Sequence, residues 1–372
     1  MKEYERKMKR MIRYIPFFLL LAILTLAVPA PAVQAAPDDR IVIKCSPDAL
    51  YTTSMPLPKK WKVPLQNLPQ SLTAVVPVSD VYLQTAKRTY VLDEDFRLYD
   101  PADSIVYTLP AAIRKQLRKD AAALKVKHYG RLMSWQEAQT AIPRMAFITV
   151  TDVETGLQFR VQRRAGSSHA DVQPLSRADT AIMKDIYSGE WSWRRRGILV
   201  QKDGGEVIAA SMHGMPHGGD GIPDNGFDGH FCIHFLGSVT HGSGNQDPDH
   251  EVMIHKAAGQ LIPYVRQFSP EHLAQLVVIG INQQDAELLS VLFADRNKMV
   301  TIARQLDLAH LGSLRDISIR LTETPENAPL TAEAVVHATA HRSGGKRPIT
   351  MNLGFARSAP GLPWALDTIL LR

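Results

Sequence analysis

Apolar and polar positions alternate with period two in some stretches of the chain and recur near period 3.6 in others, which predicts a mixed α+β protein. Two alternating runs, residues 146–152 and 157–163, flank Glu154-Thr155-Gly156 and predict a hairpin. A second hairpin is predicted from residues 196–201 and 206–212, joined by Asp203-Gly204-Gly205. Between them residues 179–186 suit a short helix. Residues 229–235 alternate again, which sets Phe231, Ile233 and Phe235 on one strand face and His230, Cys232 and His234 on the other.

The flanks read differently. Residues 37–70 carry many prolines and no sustained period, an extended lead-in, and short apolar runs over 72–99 suggest β structure. Residues 110–126 predict a basic helix opened by Pro110, with Ile113, Leu117 and Leu124 near one face. Towards the C-terminus, helices are predicted over 250–268, 270–276, 285–293 and 297–306, with 277–280 a short strand or a hinge. Strands follow over 317–322, 334–339, 349–353 and 363–370. Helices followed by an antiparallel meander resemble the cone-shaped α+β fold of nuclear-transport-factor-like and cystatin-like domains. That resemblance implies a ligand cup or a dimerisation module, hence a homodimer through this part. The expected organisation is a signal segment over 1–35, a small α+β accessory region over 36–142, a β-rich central domain over 143–279 and a C-terminal α+β domain over 280–372. The last is expected to fold by itself, and a chain ending near 264–269 to keep the reactivity of Cys232.

Composition narrows the function. With 45% hydrophobic and 22% charged residues and only two cysteines, the chain is neither a disordered tail, nor collagenous, nor a disulfide-stapled miniprotein. Residues 1–35 hold six Lys/Arg against two Glu, so four of the six net positive charges sit there. The remaining +2 gives no footing for nucleic acid. This basic opening precedes an apolar run over 15–28 and Val33-Gln34-Ala35-Ala36, the order of a secretory signal peptide. The run is short for a bilayer span of roughly 20 residues, so cleavage near Ala35 and action outside the cytoplasmic membrane are expected, with tethering as the alternative. In that setting Cys45 and Cys232 are the one pair available for a disulfide.

A free Cys232 has a different use. His213, His217, His230, His234 and His241 fall within 29 positions around it. Imidazoles beside a thiol, if protonated or hydrogen-bonded to the sulfur, lower its pKa and raise the reactive thiolate fraction.

The run Gly229-His230-Phe231-Cys232-Ile233-His234, with His213-Gly214 or His217-Gly218 upstream, resembles the signature of the L,D-transpeptidases, exported cysteine enzymes that remodel peptidoglycan cross-links. The similarity covers about a third of the chain. It implies acyl transfer on peptidoglycan stem peptides without a cofactor, with Cys232 as nucleophile and His230 shaping the site. His217, fifteen positions before Cys232, fits the family spacing for the general base better than His213 at nineteen. Three positions depart from the family: Gly229 replaces Ser/Thr, Phe231 replaces Gly, and His234 replaces the Arg that would grip a carboxylate, a substrate-binding part that His234 is expected to fill only partly. Trp193, Arg194 and Arg195 have the aromatic and cationic character to stack on a glycan and bind peptide carboxylates, against the plainer reading of an exposed loop. His169 and Asp171 are candidates for the same cleft.

Two other readings compete. A zinc hydrolase could draw ligands from His169, Asp171, His213, His217, His230, His234 and His241. On a strand, however, His230 and His234 lie about 13 Å apart, too far to share an ion. A non-catalytic cell-wall-binding module would need only the cleft and the Trp/Arg segment.

Overall fold

In the computed structural model the described residues are 39–58, 65–219, 221–242, 244–307, 311–322, 330–342 and 345–372, and the expected signal segment lies outside them. Three antiparallel sheets and eight helices follow one another along these residues, a mixed α+β architecture.

The first sheet comes from the segment read as lead-in and accessory region. Strands β1 (Arg40–Ile43), β2 (Thr53–Pro56), β3 (Gln70–Leu72), β4 (Val81–Gln84), β5 (Thr89–Leu92), β6 (Leu98–Asp100) and β7 (Ile105–Tyr107) pair in the order β2-β1-β4-β5-β6-β7-β3. The described residues of 37–70 are therefore not an extended lead-in, because Ile41 and Ile43 are fully buried and short strands of four residues carry too few positions to display a period. Helix α1 (Ala111–His128) starts after Pro110 and buries Leu117, Ala121, Leu124 and His128, spaced for one helix face, against this sheet. Its core runs on into Leu199 and Ala209 of the second sheet, so the accessory region is packed onto its neighbour.

After α2 (Trp135–Ala141), which is opened by a Ser134/Glu137 capping box, six strands close into a barrel. These are β8 (Phe147–Asp152), β9 (Gln158–Ala165), β10 (Ala170–Pro174), β11 (Ser192–Lys202), β12 (Val207–Gly214) and β13 (Phe231–His234), with α3 (Arg177–Ile186) between β10 and β11. The order around the barrel is β10-β13-β12-β11-β8-β9. Asp152 fixes the first hairpin: its carboxylate accepts from the amides of Glu154 and Thr155 and pairs with Nη2 and Nε of Arg196 at 2.6 and 2.8 Å. Alternate residues Val150, Val161, Val172, Val200, Ala210, Phe231 and Ile233 make one buried core. Period two therefore turns Asp171, His213, Cys232 and His234 away from that core.

Helices α4 (Pro248–Ala257), α5 (Leu261–Arg266), α6 (Pro270–Gln283), α7 (Ala286–Phe293) and α8 (Arg296–Gln305) then lead to the meander β14 (Ser313–Leu321), β15 (Thr331–Arg342), β16 (Gly345–Ala356) and β17 (Ala365–Leu371). Helix α4 packs on β11 and β12, and α6 on β14 and β15. The helix expected over 250–268 is thus two, and residues 277–280 are neither strand nor hinge. They are the interior of α6, where Val277 and Val278 are buried in the core beneath the meander. A run of apolar residues four long has no period of its own, and the helix that surrounds it decides its state. The expected boundary at 279/280 consequently cuts a helix. Both cysteines are free thiols, and Cys45 donates to the carbonyl of Val153 at 3.1 Å. Among the described residues no helix is long and apolar enough to cross a membrane.

A fragment of residues 280–372 lacks Leu273, Ala274, Val277 and Val278, which fill the core under the meander. We expect it to show no cooperative thermal transition by circular dichroism. In the full chain Leu273→Ala should lower stability by about 2–5 kcal/mol, read from the denaturant midpoint. A sharp transition in the fragment would mean that the meander makes its own core.

Candidate functional site

Strand β13 lies between β10 and β12, so Cys232 sits beside both. Asp171 on β10 is its direct cross-strand partner, and His234 faces Ser211 of β12. Beyond β12 the chain doubles back, and His217 and His230 exchange two backbone hydrogen bonds of 2.9 and 2.7 Å. Two glycines allow that return. Gly229 has φ 105, and a Cβ there would lie 2.4 Å from the carbonyl oxygen of His217. Gly218 has φ 69, and a Cβ there would lie 2.3 Å from the His230 ring. The glycine at 229 is thus demanded by the close approach of the two histidine segments.

This bridge carries His217 to the thiol. Its Nε2 is 3.4 Å from Cys232 Sγ, and its Nδ1 is 3.1 Å from the carbonyl oxygen of Met215. A carbonyl only accepts, so Nδ1 bears the proton in the neutral ring and the Nε2 lone pair faces the sulfur. His213 has the opposite tautomer: its Nδ1 accepts from the Met215 amide at 3.3 Å, which leaves the proton on Nε2. Its ring packs 5.1 Å from that of His217 and 4.8 Å from that of Trp193. Of the two candidate bases, His217 has a lone pair aimed at sulfur and His213 buttresses it.

On the other side of Cys232 lies the carboxylate of Asp171. Its Oδ1 is 3.1 Å from His169 Nε2, 3.1 Å from His241 Nε2, 3.9 Å from His230 Nε2 and 3.9 Å from the sulfur. Burial works to raise the pKa of Asp171, but the neighbouring imidazoles of His169 and His241 bring it down to about 2. His169 is fixed in turn by its Nδ1, 2.8 Å from the carbonyl oxygen of Val239. Asp171 was legible only as a possible neighbour of the cleft, because its role depends on a cross-strand pairing between positions 61 apart.

Two expectations are corrected here. The thiol of Cys232 is pushed up, first by burial and then by Asp171, so the surrounding imidazoles do not create a standing thiolate. The sequence shows how many histidines are near but neither their charge nor the carboxylate opposite. His234 is no substitute for an arginine. It is buried, stacked 3.8 Å from His250 and 4.6 Å from His169, and burial followed by the neighbouring His169 and Arg195 lowers its pKa to about 2, so it offers no charge to a carboxylate. His250, on the buried side of α4, was not anticipated as part of the cluster. Its Nδ1 is 2.9 Å from Ser211 Oγ, and its pKa and that of His213 are pushed well below the imidazole norm by burial.

Trp193 and the two arginines lie on β11 at a bulge between Ser192 and Arg195. Trp193 is 50% exposed, and its ring lies 5.4 Å from that of His217, at the edge of the site. Arg195 pairs with Asp247 at 2.7 Å and Arg194 bonds to Gln284, at the end of α6, so neither guanidinium is wholly free for a ligand. Cys45 also has a raised pKa because of burial, and its bonded partner is a carbonyl, which cannot take up the proton. Cys232 differs in facing an imidazole lone pair, an arrangement able to move the thiol proton as a bond to carbon forms.

No model of a known protein family matches the chain, and no curated protein is significantly similar to it.

The neutral stack gives a pH dependence. His213, His234 and His250 all titrate below the ordinary value of 6.5 in the folded protein, so their contribution to stability is complete above about pH 6.5. It is lost as pH falls towards the folded values, because only the unfolded chain then takes up protons. We expect unfolding at pH 5 to take up about three protons from these rings, seen as a melting temperature that falls with acidification. His234→Phe should remove about one of them. A melting temperature flat from pH 7 to 5 would show that the stack is already charged or open to water.

Proposed function

We propose that the chain is a cysteine acyltransferase of the L,D-transpeptidase type acting on peptidoglycan stem peptides outside the cytoplasmic membrane, with residues 1–35 as its export signal. The observation that carries the reading is the oriented pair: Cys232 Sγ at 3.4 Å from His217 Nε2, with His217 Nδ1 held by the Met215 carbonyl. In the first step Sγ attacks a peptide carbonyl carbon while Nε2 receives the thiol proton. The imidazolium then returns that proton to the departing amine, leaving a thioester. An amine acceptor or water attacks the thioester, gives its proton to His217, and releases Cys232 as a thiol. The half-exposed Trp193 beside His217 offers an apolar face for the substrate.

The finer fold assignments belong to the same proposal: an L,D-transpeptidase-like barrel carrying the site, and α6 to α8 with β14 to β17 as a nuclear-transport-factor-like module for ligand binding or pairing of two chains. The zinc hydrolase is the weaker reading. A catalytic zinc keeps one position open for water, whereas His169, Asp171, Cys232 and His241 would supply four protein donors at once.

With a synthetic stem tetrapeptide and an amine acceptor, the chelator-treated protein should release the terminal residue and form the new amide. Cys232→Ala should abolish this, and His217→Ala should slow it by about 10²–10⁴-fold with the fold retained. If His213→Ala produces that loss and His217→Ala does not, the base is misassigned. Turnover by Cys232→Ala would refute the thiol mechanism.

A further inference from the structure

The donors on the Asp171 side of Cys232 converge more closely than an acyl-transfer dyad needs. One ligand atom from each of His169, Asp171, Cys232 and His241 falls within 4.8 Å of the others. Separations of 3.1, 3.1 and 3.9 Å from Asp171 Oδ1 to the two Nε2 atoms and to Sγ approximate the edges of a tetrahedron, about 3.3–3.8 Å, drawn around a zinc ion with ordinary bond lengths.

A second, independent observation points to a cation. His169 is 1% exposed, and with Nδ1–H donating to Val239 a neutral ring must turn the Nε2 lone pair towards the Asp171 carboxylate. That buried Nε2 has no hydrogen-bond partner. Two electron-rich atoms held 3.1 Å apart repel unless a proton or a metal ion lies between them. The carbonyl that fixes the tautomer is also the outer partner that orients metal-binding histidines. Among the described residues the other set within ligand distance, His213, His217 and Cys232, is less prepared, because His213 would have to surrender its bond from the Met215 amide to free Nε2.

We propose that His169, Asp171, Cys232 and His241 form a closed zinc site whose occupation silences the nucleophile. Zinc enters past His241, whose side chain is 54% exposed. The Cys232 S–H bond breaks, its proton passes through His217 to solvent, and the sulfur lone pair binds the metal. No electron is transferred. Cys232 cannot then attack a carbonyl, so zinc and substrate compete for one sulfur. The regulatory role rests on the thiol mechanism proposed above, whereas the site itself does not.

The test uses the full chain freed of metal with a chelator, titrated with zinc by calorimetry and with cobalt(II) by absorption spectroscopy. One equivalent of zinc should bind, and cobalt should give a thiolate charge-transfer band that Cys232→Ser removes. His241→Ala, with retention of the fold checked by circular dichroism, should weaken binding about 10–100-fold, as should Asp171→Asn. Bound zinc should slow alkylation of Cys232 at least tenfold. Absence of stoichiometric binding, or binding lost in His213→Ala and retained in His241→Ala, overturns the site. Stem-peptide turnover that persists under saturating zinc overturns the silencing and leaves the thiol mechanism intact. Zinc-protected Cys232 in a chain without turnover in the metal-free state supports the site and refutes the thiol mechanism.

Discussion

The arrangement around Cys232 depends on one buried carboxylate. Asp171 Oδ1 lies at 3.1 Å from both His169 and His241 and within 3.9 Å of His230 and the sulfur, and it is placed there by the pairing of β10 with β13. A charge removed from water is tolerable only with close partners, and His241 Nε2 hydrogen-bonds to it. The same charge opposes a thiolate, so Cys232 stays protonated until something takes its proton. The base and the carboxylate both approach the sulfur, at 3.4 and 3.9 Å.

Desolvation supplies the second constraint. His213, His234 and His250 are kept neutral by burial, and His234 and His250 stack nearly parallel at 3.8 Å between β13 and α4. Charged rings at that distance would repel. The stack therefore couples the seating of α4 to the protonation state of the site. Helix α4 also carries Asp249, bonded to Gln283 at the end of α6, and Gln283 accepts from the backbone amide of Arg195 beside Trp193. The C-terminal helices thus bear on the bulge that presents Trp193.

How much was legible follows from the range of each interaction. Period two across 229–235 identified both faces of β13, and turn chemistry at Glu154-Thr155-Gly156 and Asp203-Gly204-Gly205 located the two barrel hairpins, because these signals are local. The spacing of fifteen singled out His217, and a backbone bridge at Gly229 is what brings it to the sulfur. Strands β1 and β2 escaped notice because they are four residues long and lie in a proline-rich stretch that masks so short a run. Residues 277–280 misled because an apolar run alone does not distinguish strand from buried helix. The state of the thiol was misjudged for another reason. Counting imidazoles neglects burial and the carboxylate across the sheet, and both outweigh them. His250 was missed because its place in the site comes from the packing of α4 on β12, which no short motif records.

The central claim is that Cys232 is a nucleophile made competent by His217. It is tested most directly by mass spectrometry of the metal-free protein after exposure to a carbapenem, a β-lactam that acylates active thiols. The account predicts one adduct of the intact drug mass, mapped to the peptide containing Cys232 and formed far more slowly in His217→Ala. An unmodified protein, or an adduct on Cys45, would contradict it.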